Sequence, residues 1–162
     1  MARTKGFSLI ELLIVVVVIL VLAAIAIPNL LRSRVAANEA SAVGSLHAIN
    51  NAEITYSSTY ATPGFACALS QLGPPSGGAP VGSTAASLID GGLASGTKSG
   101  YNFTPGNCTV VGGANIVTGY QWAADPVTPG TTGQRHFCTD SSIVSKFDLN
   151  SSATCLASGT PI

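Results

Sequence analysis

From Phe7 to Ile27 the chain reads FSLIELLIVVVVILVLAAIAI, 21 residues carrying a single charge, Glu11. At about 1.5 Å per residue, a helix of this length spans roughly the 30 Å hydrocarbon core of a bilayer. The pattern changes at Pro28. From there to Tyr60, Ala42, Leu46, Ile49, Glu53, Tyr56 and Tyr60 recur at spacings of three and four, with Val35 and Val43 beside the same stripe. Such spacing predicts a helix that packs one face on a partner. Pro28 lacks a backbone donor and crowds the preceding turn, so it should kink or loosen the helix without necessarily ending it. Phe7 to about Tyr60 is then one broken helix on the order of 80 Å long, far more than one small globular head can bury.

Beyond Tyr60 the texture is different. Of the 18 glycines, 16 lie after residue 60, as do 8 of the 9 prolines, which predicts turns and short elements. Ala68–Leu72 and Ala85–Leu93 read as short helices. Strand candidates follow at Gly100–Thr104, Val117–Ala124, Gln134–Thr139 and Ile143–Asp148, separated by Gly, Pro, Ser and Asp turns. Period two puts Tyr120 and Trp122 on one face, packed on the helix stripe, and sets Phe137 opposite an outward-facing His136, Cys138 and Asp140. The expected fold class is α+β: a long kinked N-terminal α-helix packed against a small antiparallel sheet of three or four strands.

Composition narrows the function. Hydrophobic residues make up 46% of the 162 and charged residues 9%, with seven Lys/Arg against seven Asp/Glu. A disordered chain would be more charged and less apolar, and a nucleic-acid binder would carry a basic excess. After residue 60 only Lys98, Arg135 and Lys146 are basic, so no nucleic-acid affinity is inferred for the head. Arg3 and Lys5 precede the apolar run with no acid before Glu11, which keeps the N-terminus cytoplasmic and sends the head outward. A cleavable secretory signal, cut near Ala23-Ala24 or Ala26 ahead of a secreted enzyme or binding domain, is the competing reading. Against it stand the length of the apolar run, the carboxylate near its start and the helical pattern continuing past Pro28. Cys67, Cys108, Cys138 and Cys155 all fall in the extracytoplasmic part, an even number that suggests two disulfides with three pairings open.

Lys5-Gly6-Phe7-Ser8-Leu9-Ile10-Glu11, followed by the apolar run and Pro28, closely resembles the N-terminus of type IV pilins and of the related pseudopilins of type II secretion. The resemblance is strongest over residues 5 to 60. It implies cleavage after Gly6 by a prepilin peptidase, N-methylation of Phe7, and a mature chain lacking residues 1–6. The remainder then divides into a transmembrane and assembly half of the helix, 7–27, its amphipathic half, 28–60, and a Gly/Pro-rich head, 61–162. Loss of Arg3 and Lys5 leaves five basic and seven acidic side chains, a formal charge of −2.

A carboxylate at the centre of a membrane helix costs about 2.5–3.5 kcal/mol on insertion scales, and less near the interface, so its retention calls for a use. By the resemblance, Glu11 neutralises the Phe7 amine of a neighbouring subunit during assembly, and the helix near Pro28 melts as subunits leave the membrane. The resemblance also implies pairing of Cys138 with Cys155, like the C-terminal disulfide region of many pilins, which leaves Cys67 with Cys108. The implied partners are further copies of the chain in a helical filament, the prepilin peptidase, an inner-membrane assembly platform with cytoplasmic ATPases, a secretin, and the membrane itself before assembly. The implied localisation is a single-pass inner-membrane precursor and then an extracellular pilus serving adhesion, twitching motility or DNA uptake. A pseudopilin shares this stem, but its usual C-terminal calcium site needs clustered acids, and the head has only Asp90, Asp125, Asp140 and Asp148.

The other chemistry-bearing residues weigh little. His136, Cys138 and Asp140 include metal and nucleophile types, but Cys138 is needed for an even disulfide count and no second ligand cluster accompanies it. His47 reads as an ordinary helix residue. Walker, Rossmann and HExxH patterns are absent, and no enzyme activity or cofactor is expected. Asn102-Phe103-Thr104, Asn107-Cys108-Thr109 and Asn150-Ser151-Ser152 match the glycosylation triplet, a pattern common by chance.

Overall fold

A computed structural model describes residues 6–112 and 116–162. The leader expected at residues 1–6 lies outside the described residues except for Gly6. The main helix, α1, is Leu9–Thr59 and runs through Pro28. Two compact units divide the chain, residues 1–34 and 35–162.

In the first unit Ser8 starts the helix, its carbonyl accepting the Glu11 and Leu12 N–H groups at 3.1 and 3.2 Å. Pro28 removes the donor that would reach the carbonyl one turn back. Beside that gap the Asn29 side-chain amide donates to the Ile25 carbonyl at 3.2 Å, adding a donor where the backbone has lost one. Apolar side chains from Leu9 to Leu31 are exposed, as they must be in a helix hydrophobic on all sides with nothing yet around it.

The second unit is the head together with the part of α1 from Val35 onward. Two four-residue helices follow, α2 (Leu69–Leu72) and α3 (Gly91–Ala94). The strands are β1 (Thr97–Lys98), β2 (Tyr101–Pro105), β3 (Thr109–Val111), β4 (Ile116–Gly119), β5 (Gln121–Pro126), β6 (His136–Asp140), β7 (Lys146–Asp148) and β8 (Thr160–Pro161), with α4 (Ser152–Ser158) between the last two. Six of them form an antiparallel sheet in the order β1-β2-β5-β6-β7-β8, with a two-residue strand at each end. The hairpin β3–β4 stands apart from it.

Alternation along β2, β5 and β6 turns Tyr101, Phe103, Trp122, Ala124 and Phe137 inward. There they meet Ala42, Leu46, Ile49, Ala52 and Tyr56 of α1, and Leu72 and Leu93 close the side of the same core. Packing is tight at Gly133, where an added Cβ would run into the ring of the fully buried Tyr101.

The α+β class and the helix-on-sheet arrangement are as read from the sequence, but the sheet has six strands and not the expected three or four, its short edge strands lacking any detectable periodicity, and several boundaries differ. The expected strand Val117–Ala124 is two strands, because β4 leaves at Gly119 to pair with β3, and the Tyr120 carbonyl accepts from Ser141 N–H instead of extending the ladder. Ile143 lies outside β7 in a turn with φ +67°, its N–H bonded to the Asp140 carbonyl at 2.9 Å, so the expected strand Ile143–Asp148 shortens to its last three residues. The expected helix Ala85–Leu93 keeps only its end. Ala86, Ser87 and Leu88 donate their N–H groups to the carbonyls of Gln71, Gly73 and Leu72, and a helix starts only where Asp90 caps Leu93 N–H at 3.0 Å. Nor does Cys138 face outward with His136 and Asp140: it is 1% exposed, covered by α4.

Candidate assembly site and the clamps of the head

Gly6, Phe7 and Ser8 precede the first helical turn, and Phe7 is 76% exposed. The Gly6–Phe7 peptide bond therefore lies in non-helical backbone. Four residues on, Glu11 is exposed in the first turn of α1, and its carboxylate has no partner among the described residues. The free N–H groups at a helix start favour negative charge there. Leu9, Ile10 and the apolar run beyond them surround it with exposed hydrocarbon.

Away from this end, polar groups on α1 clamp the helix to the sheet at three levels. Glu39, 6% exposed, accepts the Gln134 and Arg135 N–H groups at 2.9 and 3.2 Å on Oε1 and the Arg135 Nε–H at 2.8 Å on Oε2, where Arg135 Nη2 also makes an ion-pair contact at 2.8 Å. Burial by itself would raise the Glu39 pKa, but these hydrogen bonds and the guanidinium charge outweigh it and hold the carboxyl below its ordinary value. The same guanidinium lies 5.5 Å from the Phe137 ring centroid and 5.2 Å from that of Phe147.

Asn50 is the second clamp: its amide donates to Thr139 Oγ1 at 2.9 Å, and its carbonyl oxygen accepts from Tyr120 Oη at 3.2 Å. The third is Glu53, with no exposed surface, which accepts Ala66 N–H at 2.8 Å and Trp122 Nε1–H at 2.9 Å. Here burial dominates the two donors and pushes the carboxyl up to about 7.

Two disulfides complete the scaffold. Cys67–Cys108 ties the connection after α1 to the β2–β3 loop, and Cys138–Cys155 ties β6 to α4, with Cα atoms 6.1 and 6.0 Å apart. This is the pairing implied by the family resemblance. His136 does not join Cys138 and Asp140 in a site. Its Nδ1 contacts Asp125 Oδ1 at 2.6 Å, Asp125 also accepts from Ser152 Oγ at 2.9 Å, and Asp140 accepts from Ser142 N–H in its own turn.

Sequence reasoning placed Glu53, Tyr120 and Trp122 on the helix–sheet contact but read Glu53 only as part of a packing stripe. It missed Glu39 and Asn50. The available signal was the placement of Glu39, Asn50 and Glu53 on a helix whose other face carries the ordinary surface residues.

Comparison with known proteins agrees with this picture. Residues 1–27 match the family model described as the prokaryotic N-terminal methylation motif. With this motif ahead of an apolar helix and an antiparallel-sheet head, the chain is similar to type IV pilins. It is similar to the type IV wide pilus major component PilA4 of Thermus thermophilus, being 59% identical over 39 residues. That match covers 24% of this chain and 30% of the relative's length. No solved structure matches the chain.

Proposed function

We propose that the chain is the repeating structural subunit of a type IV pilus, processed between Gly6 and Phe7, N-methylated at Phe7 and polymerised through α1 into an extracellular helical filament. The observation that carries this reading is the methylation motif directly ahead of a membrane-length helix whose apolar surface is exposed on every side. Before assembly a bilayer covers that surface, with the N-terminus cytoplasmic and the head periplasmic. After assembly the stems of other copies cover it. Glu11 pairs with the Phe7 amine of the next subunit, an ion pair that strengthens as hydrocarbon excludes water from it.

The processing partner is a prepilin peptidase. The assembly partners are an inner-membrane platform driven by cytoplasmic ATPases and a secretin for exit. The work of the chain in this reading is structural, through adhesion, twitching motility or DNA uptake by the fibre. Mass spectrometry of the mature chain tests the first step: the reading requires N-methyl-Phe7 at the terminus, and a terminus near residues 25–30 would make it a secreted domain instead. Electron microscopy of sheared surface fibres labelled for the head tests the second. Labelled fibres support a pilus, whereas a correctly processed chain that stays in the cell envelope without fibres would assign it to the secretion-machine branch.

A further inference from the structure

Of the two buried carboxyls of the head, Glu39 has a cationic partner in Arg135, whereas Glu53 has none among the described residues. Glu53 joins three pieces of the fold, since it stands on α1, accepts from Ala66 in the connection that follows, and accepts from the Trp122 indole of β5. Both partners are neutral donors. The titratable groups packed near it are phenols: Tyr56 on α1, Tyr60 just past its end, and Tyr120 just before β5. The charges of the head are engaged elsewhere. Glu39 pairs with Arg135, Asp90 with Lys98 and Asp125 with His136. Asp140 bonds Ser142, Asp148 bonds Thr154, Lys146 donates to the Leu156 carbonyl, and His47 is exposed.

We propose that Glu53 is a proton-operated clasp: protonated, it holds α1 against the sheet and the connection after the helix, and ionised, it places an uncompensated charge in the core that loosens this docking. Acid therefore tightens the head, and mild alkali relaxes it. The sign follows from where the proton is bound. An exposed carboxyl in the unfolded chain titrates near 4.5 and the folded one near 7, so between those values the native state holds a proton that the unfolded state has released. The contribution is fully present below that window and is lost as pH rises through it. The charge also reaches its neighbours: burial first, and then Glu53, push the Tyr120 phenol up to about 12. The two values set an upper bound on the order of a few hundredfold in the unfolding constant, and about a hundredfold is expected after water enters the loosened site.

The test uses the full chain in detergent micelles with both disulfides intact. Trp122 is the single tryptophan, so its indole N–H resonance and its fluorescence report on this site without labelling. Between about pH 5 and pH 8 the indole N–H should shift along one ionisation curve with a midpoint near neutrality, and the urea-unfolding constant should rise by about a hundredfold. In Glu53→Gln both changes should vanish, whereas His47→Gln and His136→Gln should keep them. Should Glu53→Gln fail to fold, the wild-type resonance and the two histidine variants still decide. A Trp122 indole that does not move over this range, or a transition that disappears with either histidine, overturns the proposal.

Discussion

Replacing Glu39 by Gln leaves size and shape almost unchanged and removes only the charge and two acceptor lone pairs. In one orientation the amide keeps its oxygen on the Gln134 and Arg135 N–H groups and turns its NH2 toward the guanidinium. In the other it keeps the guanidinium and confronts two backbone donors. The first orientation loses the Arg135 Nε–H bond and the ion-pair contact, and the second loses the two backbone bonds. Bonds to a charged group are worth about 1.5–3 kcal/mol each, but the Arg135 side chain is 41% exposed and can turn to water, which discounts its share. The net expectation is a loss of about 2–3 kcal/mol at neutral pH, where an ordinary surface pair would give less than about 1.

The pH dependence supplies a second, independent check. Because the folded carboxyl of Glu39 lies below its ordinary 4.5, its stabilisation is complete above that value and disappears as pH falls through the folded value. The gap between wild type and Glu39→Gln should therefore narrow in acid. Urea unfolding followed at Trp122, in micelles at neutral pH and near pH 3, measures both effects, and comparison with Glu39→Gln cancels the separate titration of Glu53. A double-mutant cycle with Arg135→Met should return a coupling of about 1–2 kcal/mol. A difference below about 0.5 kcal/mol, or one that stays constant into acid, would refute the view that this buried carboxylate clamps the helix to the sheet.

Three further outcomes are expected. Glu11→Ala should leave cleavage and methylation at Phe7 largely intact while fibres disappear or lose order under the electron microscope; normal fibres would remove the Glu11 pairing from the mechanism. Gly133→Ala pushes a methyl group into the Tyr101 ring, which is fully buried and cannot retreat, so chemical denaturation should register a loss of at least about 2 kcal/mol, with the double substitution Gly133→Ala, Tyr101→Leu recovering part of it. Substituting Ser for both Cys138 and Cys155 opens a loop of sequence separation 17, for which chain entropy gives about 3 kcal/mol, and amide exchange in α4 should accelerate well beyond that in β5; equal protection of the two would contradict the role given to this bridge.

The stem was legible because its signal is strong and local. An unbroken apolar run with a carboxylate in its first turn leaves few structural options, and the three-and-four spacing from Ala42 to Tyr56 matches the face that is buried. The head was legible in class and in its inward residues, Tyr120, Trp122 and Phe137. It was not legible in its edges, because β1, β3 and β8 span only two or three residues and carry no periodicity to detect. The misread helix at Ala85–Leu93 has a similar cause: the carbonyls of Gln71, Leu72 and Gly73 take its N–H groups, a competition set by tertiary neighbours. Glu39 and Asn50 escaped notice because only their alignment with the apolar stripe, and nothing in the residue type, distinguishes a polar side chain satisfied by a distant strand from one satisfied by water.

The six-stranded sheet ends in β1 on one side and β8 on the other, each two residues long, with Lys98 in the first and Pro161 in the second. Two rungs of backbone donors and acceptors are too few to template another strand, and a lysine and a proline make each rim less receptive still. The proposed fibre would bring its heads to very high local concentration, the circumstance in which exposed sheet rims fuse into insoluble ribbons. In the proposed fibre, blunt rims would keep two modes of association separate: stems would join through hydrocarbon, and heads would crowd together without pairing their strands. Such a polymer would be open to dismantling into intact monomers, as a fibre stitched together by shared strands would not be.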